Sequence, residues 1–258
     1  MKQPVIELIN VSRKFVSPVG KTVLALKALS LSIQEGEFCA IVGPTGCGKS
    51  TTLGMITGIS PPSSGVVKVF NREVKSIDPR IGFVFQTDAV FPWKNVLDNV
   101  ALGPIYRGVN RQLAKEKALH WINLVGLTGF EYHYPHQLSG GMKKRVALAQ
   151  TFINDPKILL MDEPFSALDV QTRALMQEEL LKLCSENKAS VVFVTHDIEE
   201  ALTLADTVVV LSKGPAIVKR TYQVPFTRPR NVIQARHTPE FIELSRNIWE
   251  DLRTEVTI

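Results

Sequence analysis

The chain of 258 residues contains no run approaching the roughly 20 uninterrupted apolar residues that a membrane-spanning helix requires. Its first residues, Met1-Lys2-Gln3-Pro4-Val5-Ile6-Glu7, lack a basic segment leading into an apolar one, so a secretory signal is not expected and the cytosol is. Cysteine is scarce: Cys39, Cys47 and Cys184 show neither the paired spacing of a zinc site nor an even-numbered disulfide framework, and free thiols in a reducing compartment are expected. Internal repeats and low-complexity segments are missing as well. Nor does one sign of charge dominate, since 30 Lys and Arg stand against 25 Asp and Glu. The basic residues are scattered apart from Lys143-Lys144-Arg145 and the region from Lys219 to Arg236, which by itself reads as a solvated surface. What remains, 45% hydrophobic and 21% charged, is enough for a buried core and argues against disorder.

Apolar alternation over Val5 to Asn10 and Thr22 to Ile33, with a turn near Pro18-Val19-Gly20, predicts an antiparallel N-terminal sheet. Glu37 to Val42 predicts a buried strand running into Gly43 to Gly48, and Lys49 to Gly58 a helix. Gly65 to Phe70 and Ile81 to Phe85 read as strands. Val96 to Tyr106 and Arg111 to Val125 have helical spacing, interrupted by Gly103, Pro104 and Gly108, and form a small helical insertion. From Lys157 onward, strand-like runs (158–161, 190–194, 208–211) alternate with helical ones (170–187, 198–205), the pattern of a parallel sheet with crossover helices. The chain then turns back through Ile217 to Val224, passes Pro225 to Arg230 and ends in a helix from Pro239 to about Thr254. The expected class is α/β.

Gly43-Pro44-Thr45-Gly46-Cys47-Gly48-Lys49-Ser50 satisfies G-x-x-x-x-G-K-[ST] between a strand and a helix, the context that separates a phosphate loop from a mere glycine turn. The glycines let backbone N–H groups close around an anion, and the helix N-terminus adds its positive end. Lys49 neutralises β/γ-phosphate charge and the Ser50 hydroxyl ligates Mg²⁺, with Thr51 as the neighbouring hydroxyl. Cys47, beside that helix terminus, is expected to favour the thiolate, so that its alkylation abolishes activity.

Ile158-Leu159-Leu160-Met161-Asp162-Glu163 is an apolar strand ending in two acids. Beside a phosphate loop, Asp162 suits Mg²⁺ through a water, and Glu163, aimed elsewhere, suits polarisation of the water that attacks a γ-phosphate. Leu138-Ser139-Gly140-Gly141-Met142-Lys143-Lys144-Arg145 places Ser139 and two glycines ahead of a helix from Met142 to Ile153, a second anion-binding terminus. One nucleotide has no evident need of two such termini from one chain.

This segment resembles the signature of the ATP-binding-cassette ATPases, with Met142 where Gln is common. The resemblance covers nearly the whole chain and implies a P-loop cassette with a mixed core sheet, an N-terminal antiparallel β-subdomain and a helical signature subdomain. It implies that Ser139, Gly140 and Gly141 of one copy cover the ATP held by the phosphate loop of its twin. It further implies that Phe15 stacks on adenine, a core Phe being the alternative, and that Gln86 senses Mg²⁺ and the attacking water. On the same resemblance, Ser166-Ala167-Leu168-Asp169 touches the opposing subunit and His196, followed by Asp197-Ile198-Glu199-Glu200-Ala201, reaches the γ-phosphate.

Phe91-Pro92-Trp93-Lys94-Asn95-Val96-Leu97-Asp98-Asn99-Val100 resembles the segment that meets a membrane subunit, so Gln86 to Val100 is the expected permease contact; packing of Phe91 or Trp93 into the chain's own core is the alternative. Together with Glu163 to Asp169 this run is similar to the nitrate, sulfonate and taurine branch of importers. The implied protein is an ATPase using ATP and Mg²⁺, with an ATPase domain over 1–225 (helical part about 87–153) and a tail over 226–258. It works as a pair at the cytoplasmic side of the plasma membrane, with permease subunits as partners and a solute-binding protein as an indirect one. No nucleic acid is expected. The rival readings are a cassette ATPase remodelling a nucleic-acid or ribosomal partner, the ATPase of an exporter, and a small-molecule kinase, which leaves Leu138 to Gly141 and His196 without a purpose.

Overall fold

The computed structural model describes residues 4–17, 20–87, 89–166, 168–226, 236 and 238–255, with the side chains of all but Leu183 and Asn187. The expected turn residues Pro18 and Val19, Ala167 of the Ser166 to Asp169 segment, and most of the Pro225 to Arg230 and Lys219 to Arg236 stretches beyond Phe226 lie outside the described residues. The chain divides into two compact units, Met1–Asp78 with Leu181–Ile258, and Pro79–Leu180.

In the first unit β1 (Pro4–Val16), β2 (Thr22–Gln34), β4 (Ser64–Val69) and β5 (Arg72–Glu73) form an antiparallel sheet in the order β2-β1-β4-β5. Ile6, Leu8, Leu26 and Ile33 are buried and Ile6 faces Ile33 across the ladder, whose register shifts interrupt strict alternation along both strands. A second run of strands has the order β10-β9-β3-β8, from β3 (Phe38–Val42), β8 (Ser190–Val194), β9 (Thr207–Leu211) and β10 (Val218–Gln223). β8, β3 and β9 are parallel and β10 is antiparallel to β9, so this sheet is mixed. Every residue of β3, β8 and β9 is buried, which is why these segments read as continuous apolar runs rather than alternating ones. Each fully buried Val, Ile or Phe there contributes about 1.5–3 kcal/mol of transfer free energy, and Phe38 and Phe193 meet edge to face at 5.5 Å. Helices α1 (Lys49–Ile56), α6 (Ile198–Leu204) and α7 (Pro239–Arg253) complete the unit, with α7 packed on α6, β9 and β10.

In the second unit β6 (Ile81–Val84) pairs in parallel with β7 (Ile158–Asp162). Beside them pack α2 (Val96–Tyr106), α3 (Arg111–Leu124) and α4 (Gly140–Phe152), and α5 (Val170–Asn187) begins in this unit. Trp121 of α3 stacks on Phe152 of α4 at 5.6 Å. Of the three expected breakers only Gly108, at φ 84°, follows a helix end; α2 runs through Gly103 and Pro104. Pro104 lies in the last turn, where its missing N–H removes one bond, while a Cβ on Gly103 would come within 2.5 Å of the Asn154 amide. α4 begins at Gly140 rather than Met142 because Ser139 caps it, its hydroxyl accepting the Met142 N–H at 3.3 Å.

Candidate functional site

In the first unit the loop from Gly43 to Gly48 joins β3 to α1. Gly48, at the N-cap position of α1, has φ 113°, and a Cβ there would stand 2.7 Å from Leu26 Cδ2, so both backbone angle and space demand glycine. Lys49 is 7% exposed, and its ammonium donates to the carbonyls of Gly43 at 2.8 Å and Pro44 at 2.9 Å. The lysine therefore ties the loop across its mouth, while Thr45, Gly46 and Ser50 are exposed and Pro44 and Thr51 half-buried. An exposed serine hydroxyl, the first N–H groups of α1 and a fixed ammonium form a donor set suited to phosphate oxygens.

Cys47 overturns one expectation. Its side chain is 2% exposed, and burial pushes the thiol above its ordinary pKa despite the opposing pull of Lys49 and of backbone N–H groups. The helix terminus favours a thiolate, but withdrawal from water is the larger effect here, so the thiol form is favoured over what the sequence position suggests. Cys39 and Cys184 are likewise buried free thiols.

His196 is exposed at the end of β8, between two buried or capping neighbours. The Thr195 hydroxyl donates to the buried Glu200 carboxylate at 2.7 Å and accepts the Asp197 N–H, while Asp197 caps α6 by accepting the N–H groups of Glu199 and Glu200. This turn leaves the imidazole lining a cavity of about 440 Å³ with Gly43, Pro44, Thr45, Lys213, Leu252 and Glu255. Thus the structure brings His196 to the phosphate loop. Lys213, Leu252 and Glu255 had no sequence signal. Glu255 arrives because its carboxylate accepts from the Lys213 N–H at 2.9 Å and from Lys219 Nζ at 2.7 Å, and Lys219 holds its carboxyl below the usual range.

In the second unit Asp162 ends β7 and is 6% exposed, whereas Glu163 is half-buried. Glu163 has φ 47°, a left-handed conformation that is uncommon for a side-chain-bearing residue. Ser166 braces the turn by donating its hydroxyl to the Glu163 carbonyl at 3.0 Å. The Gln86 amide lies 3.4 Å from the Glu163 carboxylate. Strain of about 1–3 kcal/mol in such a turn is the kind that surrounding structure sustains at functional sites.

Ser139 and Gly140 are exposed at the start of α4, and Gly141 is half-buried. Asp169 is exposed, and its carboxylate caps α5 by accepting the Thr172 N–H, a bond that holds its carboxyl below the ordinary value. In the first unit Phe15 is 42% exposed with the Arg13 guanidinium 4.9 Å from its ring centroid, so it is not a core residue.

Trp93 is 70% exposed and Phe91 half-buried beside it at 5.5 Å. The fully buried Asn99 amide fixes this turn through the Phe91 N–H and the carbonyls of Phe91, Lys94 and Asn95. Phe91 also lines a cavity of about 330 Å³ with Phe83, Phe85, Leu102, Tyr106 and Pro156.

Lys144, read in sequence as part of a basic surface cluster, is 1% exposed. Its place on the same helical face as Ala147 and Leu148 was the signal that it points inward.

Among the described residues no helix is long and apolar enough to cross a membrane. A profile described as ABC transporter matches residues 26–166. An uncharacterised ABC transporter ATP-binding protein of Methanocaldococcus jannaschii is 45% identical, over 92% of this chain and 87% of its own length. A nitrate import ATP-binding protein of Synechococcus elongatus is 40% identical over 91% and 86%, and a taurine import ATP-binding protein of Jannaschia sp. 37% identical over 93% and 90%. The fold matches a solved dimeric ATP-binding cassette in a post-hydrolysis state bound to ADP and Pi. The TM-score is 0.79 at 34% identity, covering 86% of this chain and all of that one.

Proposed function

The chain belongs to the ABC transporter family, as an ATP-binding, ATP-hydrolysing subunit, and from that premise we propose that it energises a solute importer. Resemblance to subunits named for nitrate and taurine import supports a small anion or an organic sulfur or nitrogen compound as the solute. The subunit acts peripherally at the cytoplasmic face, with the cassette over 1–225 and a tail over 226–258. Gln86 to Val100 meets the permease, the exposed Trp93 and the apolar cavity beside Phe91 offering a groove for a partner helix. A solute-binding protein participates indirectly.

One observation carries the catalytic part: the chain holds two helix termini built for an anion, Gly48 with α1 and the exposed, Ser139-capped start of α4. Two copies use both if Ser139, Gly140 and Gly141 of each cover the ATP on the loop of the other, with Asp169 at the seam. Phe15 stacks on adenine. The loop from Gly43 to Thr51 cradles the phosphates and Lys49 neutralises their charge. The oxygen atoms of Ser50, Gln86 and Asp162 would hold Mg²⁺, which would neutralise phosphate charge. Glu163 accepts a hydrogen bond from the attacking water and draws its proton as water oxygen bonds to the γ-phosphorus, while the β–γ bridging oxygen leaves with ADP. His196 holds the γ-phosphate, and losing that group removes the contacts that favour closure.

The test is Glu163→Gln in the full chain. ATP is expected to drive it into a stable dimer while turnover falls about a hundredfold or more; a monomer that hydrolyses ATP normally would refute the assignment. ATPase stimulation by nucleic acid and not by membrane partners would instead favour the remodelling reading.

A further inference from the structure

Burying an ammonium is costly unless every donor finds an acceptor. Lys144 nevertheless lies one turn into α4, 1% exposed, with Nζ 2.7 Å from the Phe85 carbonyl and 3.0 Å from the Gln86 carbonyl. The β6–β7 ladder ends at Val84, paired with Met161, so these are the first two carbonyls beyond the paired residues. Carbonyls beyond the ladder have lost their strand partner, and here one side chain from a neighbouring helix donates to both. Gln86 in turn directs its amide to Glu163 at 3.4 Å. Ser139 caps the same helix five residues before Lys144.

We infer that Lys144 is a positioning residue: it fixes the backbone of Gln86 to the signature helix, so that a shift of Ser139 with α4 carries Gln86, and the Glu163 carboxylate it faces, with it. This rests on the role given to Glu163 above. The helix is a stiff body, its cap and its ammonium belong to the same turns, and two bonds to adjacent carbonyls restrain translation and rotation of that short segment together. A lysine contacting one carbonyl through water would transmit little.

The test uses full-length protein and a double-mutant cycle between Lys144→Met and Gln86→Ala. Lys144→Met is expected to lower kcat about tenfold, since small misplacements of catalytic groups are this costly, with the Kd for ATP within about twofold because ground-state binding is untouched. In the Gln86→Ala background the same substitution should add less than about twofold, because residues acting through one another are not additive. Multiplicative losses in the cycle, or unchanged kcat in Lys144→Met, would overturn the inference. If Lys144→Met does not fold, Lys144→Leu, which also removes the donor, takes its place in the cycle and is read by the same two outcomes. Failure of the Glu163 assignment is read separately, as normal turnover in Glu163→Gln.

Discussion

Two lysines in this protein make the same bonds and serve opposite ends. Lys49 and Lys144 are both buried, at 7% and 1% exposure, and each ammonium donates to two consecutive carbonyls, Gly43 and Pro44 in one case, Phe85 and Gln86 in the other. They differ in what lies beyond. Around Lys49 the loop is open, with Thr45, Gly46 and Ser50 exposed and a cavity that reaches His196, so phosphate oxygens can replace or join its carbonyls. Lys144, on α4, reaches the chain just past β6 and lines neither the cavity at His196 nor the one at Phe91. On the proposals above, the cation beside open space binds a ligand and the other is a joint.

The largest test of that contrast is Lys49→Ala, expected to reduce ATP turnover about 10²–10³-fold by removing charge stabilisation at the phosphates. Folding should be preserved; turnover near normal would mean that the open space has no ligand. Stability should rank the other way. Lys144→Ala removes charge-assisted hydrogen bonds and leaves a gap where a fully buried side chain packed, at a cost of about 1.5–3 kcal/mol, whereas the exposed loop residues beside Lys49 admit water and Lys49→Ala should cost less than about 1 kcal/mol. Urea denaturation of both variants compares them directly, and equal losses would break the distinction.

A smaller effect concerns Cys47 in the same loop. Its pKa is raised by burial, so at any pH below that value the thiolate fraction is lower than for an exposed cysteine, and reactivity climbs only as pH rises. Native protein at pH 7.5 should therefore alkylate at Cys47 at least about tenfold more slowly than unfolded protein, as followed by mass spectrometry. The smallest effect is that of Phe15→Leu: a rise of a few-fold in KM for ATP with kcat nearly unchanged, about 0.5–1.5 kcal/mol of ring stacking. A collapse of kcat instead would place Phe15 in the chemistry.

The readable parts of the site are contiguous. Gly43 to Ser50, Asp162-Glu163 and Ser139-Gly140-Gly141 were legible because each function needs neighbouring residues on one turn or strand end, and the structure sets them on those elements. Lys143-Lys144-Arg145 was not. Three adjacent cations look alike in sequence, yet Lys144 turns to Phe85 and Gln86 while Arg145 donates to the carbonyls of Val125 and Gly126 at the end of α3. Their fates follow from which face of α4 meets β6. The thiol of Cys47 was misread for a related reason: helix-terminus position is visible locally, burial is not.

The sequence by itself determined the family, the α/β class and the place of the glycine-rich loop between β3 and α1, because hydrophobic period and loop chemistry are set by residues a few positions apart. Tertiary structure alone decided that Glu255 is tied by Lys219 and Lys213 to the cavity at His196, and that Lys144 holds the backbone of Gln86. Those pairings join residues far apart in the chain, and whether a charge ends in water or against a carbonyl depends on the packing around it.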